Sequence, residues 1–231
     1  MANRPVLVFD VNETLLDLSG LDAPFQQVFG HAEARTEWFR QVLRSALVST
    51  ITGPYADFSA IGRTALQLVA TRRGVELSAA DRSTILDAMR RLPPHPEVVD
   101  SLERLQAAGF RMAALSNGTP DALHDQMVHA DLDGFFDAIL SADAVQRLKP
   151  APEPYHMAAQ QIDVEIETLC MVAAHAWDVT GALRAGASAA FVARPGKLLD
   201  PLGPAPNIVG PDLAQVAGRL IDAHATDRRS E

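Results

Sequence analysis

The chain has 231 residues, 48% of them hydrophobic, a formal net charge of −9 and a single cysteine, Cys170. That length admits one large domain, or a core with an inserted subdomain, and enough apolar mass for a substantial core. The acidic balance and the lack of a basic block argue against nucleic acid or an anionic membrane as the main partner. One cysteine excludes a disulfide framework and Cys-based metal sites, and fits a reducing, cytoplasmic setting. No signal-peptide core precedes the first strand, and no apolar run is long enough to span a bilayer.

In chain order, Val6-Leu7-Val8-Phe9 is too short for a helix and rich in β-branched and aromatic residues, which predicts a buried parallel strand ending at Asp10. Between about 19 and 92 no strand is evident. Trp38, Val42, Leu43, Ala46 and Leu47 fall on helical spacing and predict a helix over 32–50, broken by Gly53-Pro54. A second helix is expected over 59–73, stopping at Gly74. Ser78-Ala79-Ala80-Asp81 has the form of a capping box and starts a third, carrying Ile85, Met89 and Leu92 and ended by Pro93-Pro94. This helical block, 18–92, reads as a cap inserted into a core formed by 1–17 and 93–231.

Alternation of helix and strand then resumes. An amphipathic helix over 97–108 closes at Gly109. A strand over 111–115 runs into Ser116-Asn117-Gly118, and Thr119-Pro120 caps the next helix. Further strands are expected within 135–141, at 169–172, at 189–192 and, as a short edge, at 207–209. Helices are expected over 154–161, from Asp178 through Arg184, and over 213–223, with a frayed tail from Thr226. This pattern specifies an α/β fold with a doubly wound parallel sheet. Polar groups follow successive strands: Asp10, Ser116-Asn117, Lys149 and Asp178. In such sheets ligands bind beyond the carboxyl ends of the strands, so neighbouring strands would bring these groups together. A carboxylate beside a lysine, hydroxyls and amide donors serves either as a metal ligand or as a nucleophile giving an ester that water opens.

The segments Asp10-Val11-Asn12-Glu13-Thr14-Leu15, Leu115-Ser116-Asn117-Gly118, Lys149-Pro150 and the loop ending in Asp178 resemble the four motifs of the haloacid dehalogenase superfamily, with its Rossmann-like core and helical cap. The phosphatases of that superfamily carry a second aspartate two residues after the nucleophile, where this chain has Asn12. They also carry a Gly-Asp that holds Mg²⁺, where this chain has Ala173-Ala174. A halide leaving group needs neither a proton nor a bridging metal. Tyr155, six residues after Lys149, and Ala176-Trp177-Asp178-Val179-Thr180-Gly181-Ala182 resemble the type II (S)-2-haloacid dehalogenases in particular.

The resemblance implies a metal-independent, cofactor-free hydrolase that converts a small 2-haloacid to a 2-hydroxy acid. Asp10 would be the nucleophile. Thr14 and Ser116 would orient it or hold the substrate carboxylate. Lys149 and Tyr155 would stabilise charge, and Asp178 would position Lys149 or the hydrolytic water. Val11, Asn12, Leu43 and Asn117 are candidate substrate contacts, and Trp177 and Phe58 candidate walls of a dry halide pocket. The family often dimerises, so a homodimer is a candidate assembly. The chain departs from the pattern at Asn12-Glu13, where the family has Tyr-Gly, and at Ala173 and His175, where it has Ser and Asn. His175 is a candidate base or donor in their place. The family's halide-receiving arginine on the first cap helix falls on Arg40 in one register and on Phe39 in the other. A Mg²⁺-dependent phosphatase and a non-catalytic small-acid binder are the alternatives.

Overall fold

The computed structural model describes residues 4–226, and the tail beyond lies outside them. Six parallel strands form one sheet: β1 (Val6–Phe9), β2 (Met112–Ser116), β3 (Ala138–Ser141), β4 (Leu169–Ala173), β5 (Ser188–Val192) and β6 (Ile208–Gly210), in the order β3-β2-β1-β4-β5-β6. β1 is central, pairing with β2 on one side and β4 on the other. The order reverses between β1 and β4, so Asp10 leaves the sheet at its topological switch point.

Alternation along β1 divides the core. Leu7 and Phe9 face a cluster that includes α5 (Val98–Ala107), α6 (Pro120–His129) and α9 (Leu213–Thr226). Val6 and Val8 face a second cluster with α7 (Pro152–Gln161) and α8 (Ala176–Arg184). With both faces covered, each strand is an apolar run, not an alternating one.

Between β1 and α5 stand α1 (Asp22–Phe29), α2 (Ala34–Thr52), α3 (Phe58–Arg73) and α4 (Ala79–Met89), packed chiefly on one another. The capping box at Ser78 and Asp81 is present, and Gly109 has φ +80° after α5, as a C′ residue requires. Two expectations need correction, and one helix is unanticipated. Helix α1 had no counterpart in the sequence reading; it is held by tertiary packing, with buried Phe25 stacked on Phe29 at 5.5 Å and against Trp38. Helix α4 stops at Met89, short of Leu92. The residue before a proline resists the helical region, and the chain instead pairs with the end of the first motif: Asp17 N–H donates to Pro93 O and His95 N–H to Leu15 O. Thr119 occupies the N-cap of α6 but makes no capping bond, its hydroxyl lying 3.3 Å from that of Ser59.

Candidate active site

The first motif begins as sheet and ends as a tight turn. Asp10 N–H still donates to Val172 O at 3.0 Å, which fixes the main chain at the strand end. Beyond it the chain folds back, with Leu15 and Leu16 N–H both donating to Val11 O. Glu13 takes φ +64° in this turn, a left-handed conformation that costs a side-chain-bearing residue roughly 1 kcal/mol or more. Arg194 clamps the turn by donating from Nε and Nη2 to Thr14 O at 2.9 and 2.6 Å, and it is paired with Glu97 at 2.8 Å.

Asp10 is buried and fully engaged. Its Oδ1 accepts from Lys149 Nζ at 2.9 Å; its Oδ2 accepts from Thr14 Oγ1 at 2.7 Å and lies 3.1 Å from His175 Nδ1. Thr14 Oγ1 in turn accepts from Ala174 N–H at 2.9 Å. The fourth-motif loop is thus tied to the first through its main chain, and an alanine serves there. Lys149 spends all three ammonium protons, on Asp10, on Asp178 Oδ2 at 2.6 Å and on Leu115 O at 2.8 Å. Tyr155 donates to Asp178 Oδ1 at 2.6 Å. Both oxygens of Asp178 are therefore taken, and it holds the ammonium rather than a water.

Close approach of α7 to α8 makes this possible. A Cβ on Gly181 would meet Pro150 Cβ and Tyr155 Oη at 2.6 Å and Pro150 O at 2.8 Å. Gly181→Ala is expected to lower stability by roughly 1–3 kcal/mol. It should also cut turnover by pushing the phenol off Asp178; denaturant melts and kinetics on the same sample check both.

His175 bridges two carboxylates, its Nδ1 facing Asp10 and its Nε2 lying 2.8 Å from Glu13 Oε2. Lys197 also donates to Glu13 Oε2. Burial pushes the imidazole toward its neutral form, but the two carboxylates outweigh it and raise its pKa to about 9. Burial pushes Asp10 up, and Lys149, His175 and Thr14 together hold it well below the usual carboxylate range. Burial and the Asp10 charge raise Asp178, against the pull of Lys149. At neutral pH His175 is thus a cationic donor to Asp10, not a base.

The linkage has a defined sign. His175 sits above its unfolded pKa of about 6.5, so its contribution, on the order of 3 kcal/mol, is fully present below that pH and is lost as pH rises through about 9. Asp10 and Glu13 are depressed, so their contributions are present above their unfolded values and are lost progressively as pH falls from those values through the folded ones. The His175 contribution should make the melting temperature fall from about pH 7 toward pH 9. His175→Gln should flatten the alkaline limb in a series of thermal melts.

The remaining candidates are placed as follows. Ser116 is buried; its Oγ accepts from Gly118 N–H at 3.0 Å, leaving its own proton to donate. The Asn117 side chain is committed to the Lys149 main chain, accepting from its N–H at 2.7 Å and donating to its carbonyl at 3.2 Å, so it sets the lysine rather than reaching for substrate. Asn12 Oδ1 accepts from Gln126 Nε2 at 3.0 Å, and Gln126 also donates to Met89 O. The side chain of Val11 lies in the core. Trp177 stacks on His175 at 5.0 Å and lies 6.0 Å from Lys149 Nζ; its buried indole N–H has no partner among the described residues. Phe58 lines a small cavity of about 100 Å³ with Asn12 and Gly118. Phe39 is buried with its ring 6.4 Å from that of His175, whereas Arg40 is exposed one step away on α2. The Phe39 register faces the site, and Arg40 is not brought to it. Leu43 lines a cleft outside with Arg40.

Glu13, Arg194, Lys197 and Gln126 were not singled out by the sequence reading. Glu13 had a signal: two of the departures from the motif pattern, Glu13 and His175, are each other's hydrogen-bond partners.

The donor set does not suit Mg²⁺, which demands several hard oxygen ligands. Asp10 is covered by two cations, Asn12 is turned to Gln126, and Ala173 and Ala174 offer no side-chain ligand. Among the described residues no helix is long and apolar enough to cross a membrane.

A family model of haloacid dehalogenase-like hydrolases matches residues 5–186. The (S)-2-haloacid dehalogenase of Pseudomonas sp. (strain YL) is 32% identical over 203 residues, 87% of this chain and 88% of that protein. The haloacetate dehalogenase H-2 of Moraxella sp. (strain B) is 28% identical, over 91% of this chain and 95% of its own. The L-2-haloacid dehalogenase of Xanthobacter autotrophicus, solved with chloropropionic acid covalently bound, superposes with a TM-score of 0.89 at 27% identity, covering 95% of this chain and 99% of that one. With this sheet order, this cluster at the end of β1 and these relatives, the chain belongs to the haloacid dehalogenase-like hydrolases.

Proposed function

We propose that this protein is a metal-independent (S)-2-haloacid dehalogenase that works through an ester on Asp10. The observation that carries the reading is the state of Asp10: buried, ionised, and braced by Lys149, Thr14 and His175, with Asn12, turned to Gln126, where a carboxylic acid would stand to protonate an alkoxide leaving group. Such a group displaces halide, which leaves without a proton, better than it cleaves a phosphate ester. The covalently bound chloropropionic acid in the Xanthobacter relative supports an ester route.

In the first step a carboxylate oxygen of Asp10 attacks C2 of the haloacid. The new C–O bond forms as the carbon–halogen bond breaks, and halide departs with the electron pair. The hydroxyl proton of Ser116 and the indole N–H of Trp177 are the nearby donors for the anions. The ester removes the negative charge that held the proton on His175 Nδ1. Its hold weakens, and the proton leaves through the Glu13 side. Neutral His175, kept in place by Glu13 at Nε2, then takes a proton from the attacking water. Lys149 faces the oxyanion that develops on Asp10. The acyl–oxygen bond breaks, the proton on the regenerated acid goes to the departing alkoxide, and Asp10 returns as carboxylate. The net products are 2-hydroxy acid, halide and one proton.

Single turnover of (S)-2-chloropropionate in ¹⁸O-water with EDTA tests this. The expected result is chloride release with label in the peptide bearing Asp10. Label in the lactate alone would mean direct attack by water, and phosphate-ester hydrolysis that needs Mg²⁺ would replace the reading with a phosphatase.

A further inference from the structure

A cleft of about 490 Å³ opens beside the site, between α2 and the loop after β5. Its floor is Glu13, one hydrogen bond from His175, and Phe39 stands at its inner wall. The protein carries a net charge of −9, yet Arg35, Arg40, Arg194 and Lys197 line this cleft against the carboxylates of Glu13 and Asp17. Three of those cations are committed: Arg35 to Asp22, Arg194 to Glu97 and the Thr14 carbonyl, Lys197 to Glu13. Arg40 is exposed and forms no ion pair or hydrogen bond among the described residues.

An acidic protein repels a small carboxylate at long range, and a cleft lined by four cations against two carboxylates offsets that field locally. An unpaired guanidinium at the mouth, one residue from the aromatic ring at the inner wall, suits capture of an anion that then passes inward. We infer that this cleft is the inlet for the anionic substrate, with Arg40 as its steering residue rather than a halide ligand. The inference rests on the dehalogenase reading for the identity of the anion, a small monocarboxylate. Arg40 acts on arrival, so it changes kcat/KM and leaves the chemical step alone.

Arg40→Gln is compared with Arg111→Gln, an equal change of charge at the opposite, amino-terminal end of the strands, where Arg111 pairs with Asp137. The probe is chloroacetate, at about 20 mM and about 500 mM salt. Arg40→Gln should lower kcat/KM about three- to tenfold at low salt, with kcat unchanged and the gap closing at high salt. Arg40→Lys should restore most of the loss, and Arg111→Gln should match wild type. Stopped-flow tryptophan fluorescence on the Asp10→Asn background reads chloroacetate association without turnover, so the inlet is tested even if wild type releases no halide. An unchanged kcat/KM and association rate in Arg40→Gln would overturn the inference. So would equal losses in both variants, which would indicate net charge alone, or a fall in kcat, which would put Arg40 on the reacting atoms.

Discussion

Asp10→Asn releases halide at least about 10⁴-fold more slowly than wild type, and no adduct forms on the protein. The amide keeps an oxygen acceptor for Lys149, its NH2 replaces the oxygen that accepted from Thr14 and faced His175, and it carries no charge to attack carbon. The same substitution has electrostatic effects that turnover alone does not report. His175 loses one of the two carboxylates that hold it protonated, so its pKa falls from about 9. Asp178 loses a neighbouring negative charge that pushes it up, so its carboxyl moves down. Lys149 keeps Asp178 and the Leu115 carbonyl, so the fold survives with a loss of roughly 1–3 kcal/mol. Imidazole NMR titration and halide assays on one preparation test the charge coupling and the chemistry together. Wild-type halide release in this variant would remove Asp10 from the nucleophile's role.

His175→Gln separates the two halves of the reaction. Alkylation needs an ionised Asp10, which Lys149 and Thr14 still secure, so one halide per site is released in a burst. Hydrolysis then lacks its base, and steady-state turnover falls by about 10²–10⁴-fold. The ester accumulates and appears in the intact mass as a gain equal to the substrate acid less hydrogen halide. Glu13→Gln keeps the imidazole but withdraws the charge at Nε2, and should shift the pH dependence of the hydrolytic step to lower pH while trapping less ester. A His175→Gln enzyme that turns over normally without adduct would move the base elsewhere in the site.

The strand ends were legible because parallel strands buried on both faces leave continuous apolar runs, and each run stops at the residue that matters: Asp10, Ser116 or Ala173. Lys149, Tyr155 and Asp178 were legible as motif positions, although their mutual geometry depends on the close approach at Gly181, which spacing along the chain does not disclose. Helix α1 was not legible. Its stretch Asp22-Ala23-Pro24-Phe25 carries a proline early and no side-chain cap, and Phe25 and Phe29 acquire their value only against Trp38. Glu13 was legible as a departure from the motif but not as a partner of His175, because a left-handed carboxylate facing a histidine 162 positions later is a tertiary fact. The choice between Phe39 and Arg40 was undecided for a similar reason. One residue of helical phase separates the protein interior from the cleft, and only the packing of α2 against the core sets that phase.

The placement of β1 has a consequence for biosynthesis. Its first neighbour, β2, begins at Met112, and its second, β4, begins at Leu169. A nascent chain therefore makes this apolar strand well before either neighbour, and leaves one side of it without a hydrogen-bonding partner until residue 169 has been made. Arg194 and Lys197, which bind the first motif, arrive later still. Premature termination anywhere before β4 would leave an open apolar edge that invites pairing between chains, so such fragments should precipitate on the ribosome's time scale rather than persist as partly folded enzyme.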